Sequence, residues 1–236
     1  MKLLVFNWKM NPTTLKEAGQ LFYSAETGNK FIIAPPSVYL PIFQLAVKHQ
    51  KNIELAAQNA FWEEKGAYTG EISPKMLKNL GVEYVIVGHS ERRNYLEETD
   101  EMINKKVHAA IKAGLKVILC VGENLVIRKK GERAVEKFIA DQIKKDLKGI
   151  GNNSKIIVAY EPIWAIGTGR NDTSQDAVVM AKFIKKILKS TRVLYGGSVN
   201  SKNISAFINQ PEIDGALIGH ASVDKKEFKK ILHLVN

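Results

Sequence analysis

Residues 155–169 read Lys155-Ile156-Ile157-Val158-Ala159-Tyr160-Glu161-Pro162-Ile163-Trp164-Ala165-Ile166-Gly167-Thr168-Gly169. The first part is a β-branched, apolar run of strand length, and it delivers a single carboxylate, Glu161, at its end. Pro162 stiffens the entry of the segment behind it, while Gly167 and Gly169 free its exit. Trp164, Ala165 and Ile166 between them are placed to swing as one apolar flap. A helical pattern follows, with Ala177, Ala181, Ile184 and Leu188 on one face.

The same unit of strand, polar turn and helix recurs along the chain. Apolar runs over 2–6, 31–34, 53–57, 84–87 and 115–120 precede it, and runs over 192–195 and 213–218 follow it. Helical spacing separates them. Thr13 or Thr14 caps the first helix, a second covers 38–50, and Ser73-Pro74 opens a short one that stops at Gly81. Ile103, Val107, Ala110 and Ile111 form one stripe, Val135, Ile139, Ile143 and Leu147 another, and Phe228, Ile231 and Leu232 a last. Strands without period-two alternation are buried on both faces, and their separation by helices calls for a parallel sheet. Eight of them predict an α/β chain folded as a closed (β/α)₈ barrel, eight parallel strands with outer helices, forming a single domain over residues 1–236. An open doubly wound sheet is the runner-up, but no Gly-x-Gly-x-x-Gly follows the first strand.

At 236 residues and 45% hydrophobic content the chain buries a full core. Cys120 is its one cysteine, which rules out an intrachain disulfide and points to a reducing, cytoplasmic setting. Asn7, Lys9 and Asn11 interrupt the apolar start before it reaches the length of a secretory signal, and no run approaches a membrane span. The net charge of +11 attracts anions in general. Its lysines, however, are scattered at helical spacings, as on solvated faces, without the interleaved aromatics of a single-strand groove. We therefore expect no specific nucleic acid and no membrane partner. A basic barrel with a non-enzymatic anion- or nucleic-acid-binding role is the alternative reading.

Polar and glycine-rich groups gather at the strand ends. Asn7 and Lys9 follow strand one, Gln58 strand three, His89 strand four, Glu123 strand five, Glu161 strand six, Gly196-Gly197-Ser198 strand seven and Gly219 strand eight. In a barrel all of these meet at the C-terminal mouth, where such enzymes keep their sites. The glycine turns after strands seven and eight, with a helix expected to begin just after Gly219, suit a phosphate. No metal-ligand cluster, Gly-x-Ser-x-Gly elbow or matched carboxylate pair is present. A lone acid, an imidazole and an ammonium suit proton abstraction beside a carbonyl.

Four motifs carry a resemblance. Asn7-Trp8-Lys9-Met10-Asn11, Gly88-His89-Ser90-Glu91-Arg92-Arg93, the Ala159 to Gly169 stretch and Tyr195-Gly196-Gly197-Ser198-Val199 together look like triosephosphate isomerase, in the right order over the whole chain. The resemblance implies a TIM barrel, a triose phosphate substrate and no cofactor or metal. It implies that Glu161 moves a proton between C1 and C2, that His89 as a neutral imidazole polarises the carbonyl, and that Lys9 steadies the oxyanion. Asn7 would hold Lys9 and substrate, with Glu91 and Ser90 standing behind them and Glu91 as partner of Lys9. Gly167, Ser198, Gly219 and His220 would offer backbone N–H groups to the phosphate, and the lid from Pro162 through Ile163, Trp164, Ala165, Ile166, Gly167 and Thr168 to Gly169 would close over it. A homodimer is also implied, through the loop from Gln58 to Glu71, with Thr69 near the neighbouring active site. Phe61 and Trp62 on that loop are expected to be exposed until a partner covers them. Two positions depart from the family pattern: His220 stands where a second glycine is usual, and Arg170-Asn171-Asp172 replaces Lys-Thr-Ala after the lid.

Overall fold

The computed structural model describes residues 2–25, 29–151, 154–165, 173–189 and 191–235. Chain order runs β1 (Leu3–Asn7), α1 (Leu15–Phe22), β2 (Phe31–Ala34), α2 (Leu40–Val47), β3 (Ile53–Ala57), α3 (Pro74–Leu80) and β4 (Tyr84–Val87). It continues through α4 (Ser90–Tyr95), α5 (Asp100–Lys112), β5 (Lys116–Val121), α6 (Leu125–Arg128), α7 (Glu132–Asp146) and β6 (Ile156–Tyr160). The remaining elements are α8 (Ser174–Ile187), β7 (Arg192–Tyr195), α9 (Ile204–Ile208), β8 (Gly215–Ile218) and α10 (Lys225–Leu234). The strands form a closed parallel barrel in sequence order. Leu3 pairs with Gly215 where the ring shuts.

The sheet shows why its strands read as unbroken apolar runs. Successive side chains point to opposite faces. Along β5, Ile118 and Cys120 enter the barrel lumen beside Val5, Ile86 and Leu194. Val117, Leu119 and Val121 instead meet the helices, in the layer that holds Ile103, Val107 and Ile139. Ala34, Ala56 and Ala159 keep the lumen narrow enough to fill with side chains.

Helix starts follow their caps. Thr14 caps α1, its hydroxyl accepting from Glu17 N at 3.2 Å and donating to the Glu17 carboxylate at 2.8 Å. Ser73 caps α3 and Gly81 ends it in the left-handed region. Three expectations need correction. The helix expected over 38–50 is a 3₁₀ turn, Ser37–Tyr39, followed by the shorter α2, because Pro41 fits only a first helical turn. Strand eight starts at Gly215 and not at 213, since Asp214 turns the chain by accepting from Val193 N at 2.8 Å. No helix begins at Gly219: a single 3₁₀ turn, His220–Ser222, intervenes before α10. Ser222 Oγ holds that turn, its one O–H shared between Asn7 O at 3.0 Å and Gly219 O at 2.5 Å.

Barrel closure depends on the missing side chain of Gly215, where a Cβ would lie 1.8 Å from Leu3 O. We expect Gly215→Ala to destabilise the chain by about 1–3 kcal/mol or more. Gly19→Ala, in α1 with nothing within 4 Å of the added carbon, should instead stabilise it by about 0.5–1 kcal/mol. Urea midpoints measured side by side check both, and equal midpoints for the two variants would contradict this account of closure.

Candidate active site

Asn7, Lys9, His89, Glu161, Ser198, Gly219 and His220 line one cavity of about 550 Å³ at the C-terminal ends of the strands. Ser90 and Glu91 stand outside that lining and hold two of its members. Of the lid, Pro162 to Ala165 are described, and Ile163–Ala165 form a 3₁₀ turn. Ile166, Gly167, Thr168 and Gly169, with Arg170, Asn171 and Asp172, lie outside the described residues.

Lys9 occupies the left-handed region at φ 54°, a conformation a side chain adopts only under constraint. The constraint is visible. Its N–H donates to Asn7 Oδ1 at 2.9 Å, and its carbonyl accepts from Gln58 Nε2 at 2.8 Å, a group that also donates to Ala34 O at 2.8 Å. Its ammonium meets Glu91 Oε1 at 2.5 Å. A Cβ on Gly219 would come within 2.9 Å of Lys9 Cε, so glycine there clears the ammonium's path across the cavity.

His89 is buried and precedes α4. Its Nδ1 accepts from Glu91 N at 3.3 Å, which assigns the ring proton to Nε2. That nitrogen lies 3.4 Å from Glu161 Oε1. The other carboxylate oxygen accepts from Ser90 N at 2.9 Å, at the first turn of α4. Two glycines make room for Glu161: a Cβ at Gly196 would stand 2.9 Å from its Cγ, and one at Gly122 only 1.7 Å from its carbonyl oxygen. Burial, and then the nearby Glu161 charge, push the Cys120 thiol well above its ordinary value, so it stays protonated and inert.

Next to Glu161 in the cavity lining comes the turn at 196–198, with Gly219 beyond it, and Ser198 Oγ donates to Ala165 O at 2.7 Å. The exposed ring of His220 stands at the rim. Among the described residues no group of His, Cys, Asp or Glu is arranged to hold a metal ion. No helix there is long and apolar enough to cross a membrane.

Glu123, read from sequence only as a polar residue at the mouth, has a definite task. Its buried carboxylate accepts from Trp164 Nε1 at 2.8 Å and from Tyr160 Oη at 3.1 Å, while its carbonyl accepts from Ile163 N. Burial raises its pKa, opposed by the Trp164 and Tyr160 hydrogen bonds. Arg128 lies over the Trp164 ring at 5.2 Å. The acid immediately after strand five was the available signal.

A sequence profile of the family described as triosephosphate isomerase matches residues 2–235. The chain belongs to the triosephosphate isomerase family. The triosephosphate isomerase of Caldanaerobacter subterraneus subsp. tengcongensis is 44% identical over 248 residues, covering 98% of each chain. That of Acetivibrio thermocellus is 46% identical, covering 95% of this chain and 94% of its own, and that of Dictyoglomus thermophilum 45%, covering 98% of each.

Behind the triosephosphate isomerase site, Asp146 at the end of α7 is fully buried and meets Arg93 at 2.6 Å. Its pKa rises from 3.8 to about 7, through burial first, with Arg93 opposing and Asp100 adding to the rise. The unfolded chain releases this proton near 3.8 and the folded chain keeps it to about 7. Stability therefore falls as pH rises through that window and levels off above it. Asp146→Asn removes the titration. We expect its stability relative to wild type to increase between these limits by up to about 4 kcal/mol, and urea midpoints that differ by a constant amount across the window would contradict the shift.

Proposed function

We propose that the chain reversibly interconverts D-glyceraldehyde 3-phosphate and dihydroxyacetone phosphate, by proton transfer through an enediolate, in glycolysis and gluconeogenesis. The observation that carries this reading is the opposition of one carboxylate, Glu161, and one imidazole N–H, His89 Nε2, 3.4 Å apart in a cavity that Lys9 also lines. Glu161 removes the proton from one carbon beside the carbonyl and returns it to the next. His89 donates to the carbonyl oxygen from Nε2, and Lys9 steadies the negative charge that develops there. Asn7 fixes the turn that aims Lys9, while Glu91 restrains its ammonium. Ser90 orients Glu161 before substrate arrives.

The phosphate lies against the turn at 196–198, Gly219 and His220, with Gly167 completing the set from the lid. A single 3₁₀ turn at His220 leaves little helix dipole to aim, so oriented N–H groups and Lys9 supply the attraction. The Glu123–Trp164 hydrogen bond and the Ser198–Ala165 hydrogen bond hold the lid's entry. No cofactor takes part in these steps. The non-enzymatic reading of the basic charge gains no support from the site or from the relatives.

The chain works as one domain, in the cytoplasm, and as a homodimer. Phe61 and Trp62 turn out to be half-buried, stacked on each other at 4.0 Å with Phe61 against Tyr68 at 4.8 Å. Most of the exposed large apolar residues, Met10, Val38, Tyr68, Met76, Tyr95 and Leu96 among them, lie on segments following strands one to four. Those strands are consecutive in the barrel, so their connecting segments share one side of its mouth. Such a set supports an interface there. Thr69 is exposed near the end of the 58–71 loop, which supports its reading as the residue that reaches the neighbouring site.

Glu161→Gln should cut the turnover of either triose phosphate by about 10²–10⁴, as for loss of a general base, with the fold unchanged by circular dichroism. A variant as fast as wild type would remove Glu161 from the mechanism, and an inactive wild type would remove the reaction itself. Sedimentation at micromolar concentration should give a dimer, and a fully active monomer would overturn the interface.

A further inference from the structure

Arg93 is oriented inward beneath the active site and makes more contacts than a structural ion pair needs. Its Nε donates to Gly88 O at 2.7 Å, one amino group pairs with Asp100 at 2.6 Å, and the other pairs with Asp146 at 2.6 Å and reaches Cys120 O at 3.3 Å. The Gly88 carbonyl belongs to the peptide that carries the His89 nitrogen. Gly88 has φ 75°, and a Cβ on it would come within 2.9 Å of the guanidinium, so the residue before His89 is shaped to admit Arg93. Asp100 is partly exposed and shared with Lys145 at 3.2 Å. Asp146 is fully buried, and its backbone oxygen is pinned by Asn104 Nδ2 at 3.0 Å. Asp146 also interacts with Asp100 beside the guanidinium, so the two carboxyls grip Arg93 as one cluster.

We propose that Asp146, through Arg93, is a positioning residue for His89. The chain of contacts runs from the end of α7 to the guanidinium, from there to the Gly88–His89 peptide, and so to the imidazole that faces Glu161. It sets the direction from which Nε2 meets the substrate oxygen, where errors of about 1 Å cost as much as 10²-fold in rate. Arg93 is anchored on the side of the barrel away from the 196–198 turn and Gly219, so substrate affinity does not depend on it. The inference rests on the isomerase reading of this site.

The test compares Asp146→Ala, Asp146→Asn and Arg93→Lys with wild type. Asp146→Ala should lower kcat by about 10-fold or more with KM changed less than about twofold. Asp146→Asn, which keeps an oxygen facing Arg93, should restore most of the rate. Arg93→Lys keeps the charge but cannot span the Gly88 carbonyl and both carboxylates together, and should match the alanine variant. The imidazole NMR signals of His89, assigned by their loss in His89→Gln, should shift in Asp146→Ala and Arg93→Lys and stay in place in Asp146→Asn. Unchanged kcat and unchanged His89 signals in Asp146→Ala would overturn the proposal, as would losses of equal size in the alanine and asparagine variants. An inactive wild type would overturn the isomerase reading alone, because the His89 signals still decide the positioning role.

Discussion

The Glu161 carbonyl lies where a Cβ on residue 122 would be 1.7 Å away, and the Glu161 side chain lies where a Cβ on residue 196 would be 2.9 Å away. Contact this close between the ends of β5, β6 and β7 is the constraint on which the site depends. Gly122 makes room for the Glu161 main chain and Gly196 for its Cγ, and the carboxylate rests on the Ser90 N–H with its second oxygen toward His89. Glycines at both positions are therefore a packing requirement of the acid between them. The same reasoning holds across the cavity, where Gly219 leaves space for Lys9. Gly196 and Gly219 thus clear the way for two charged side chains, and Gly122 for the main chain that carries one of them.

Much of this was legible in the sequence because two-sided burial leaves a simple trace. Strands β2, β3, β4 and β7 coincide with their apolar runs, and of the groups expected at the mouth Asn7, Lys9, His89, Glu161, the 196–198 turn and Gly219 line one cavity, while Gln58 and Glu123 stand outside its lining. The failures have physical causes. Helix α4, with sequence Ser90-Glu91-Arg92-Arg93-Asn94-Tyr95, has no apolar period to announce it and is started by a cap from the His89 ring. The turn after Gly219 reads as a helix start, and the Ser222 contacts with Asn7 and Gly219, which hold it as a single 3₁₀ turn, bring in a residue, Asn7, that no local pattern links to it. The tasks of Gln58, Glu123 and Arg93 depend on partners tens of positions away. No local pattern encodes such pairs.

Polar side chains beneath the mouth share one style of use: each ties a backbone carbonyl or amide at a strand end to a helix. Gln142 accepts from Gly122 N at 3.0 Å, and Arg93 takes the carbonyls of Gly88 and Cys120. Charge inside the protein here fixes main-chain direction more than it adds net stability, which for buried pairs is modest once desolvation is counted.

The pairing of Leu3 with Gly215 closes the ring between residues more than two hundred positions apart. On a ribosome adding roughly 5–20 residues per second, the first strand waits about ten to forty seconds for the eighth. Throughout that interval one edge of the nascent sheet presents unpaired N–H and C=O groups to other chains. Birth of this barrel is thus a period of exposure that ends only with its last strand, and any slowing of translation near the 3′ end of its message lengthens that exposure.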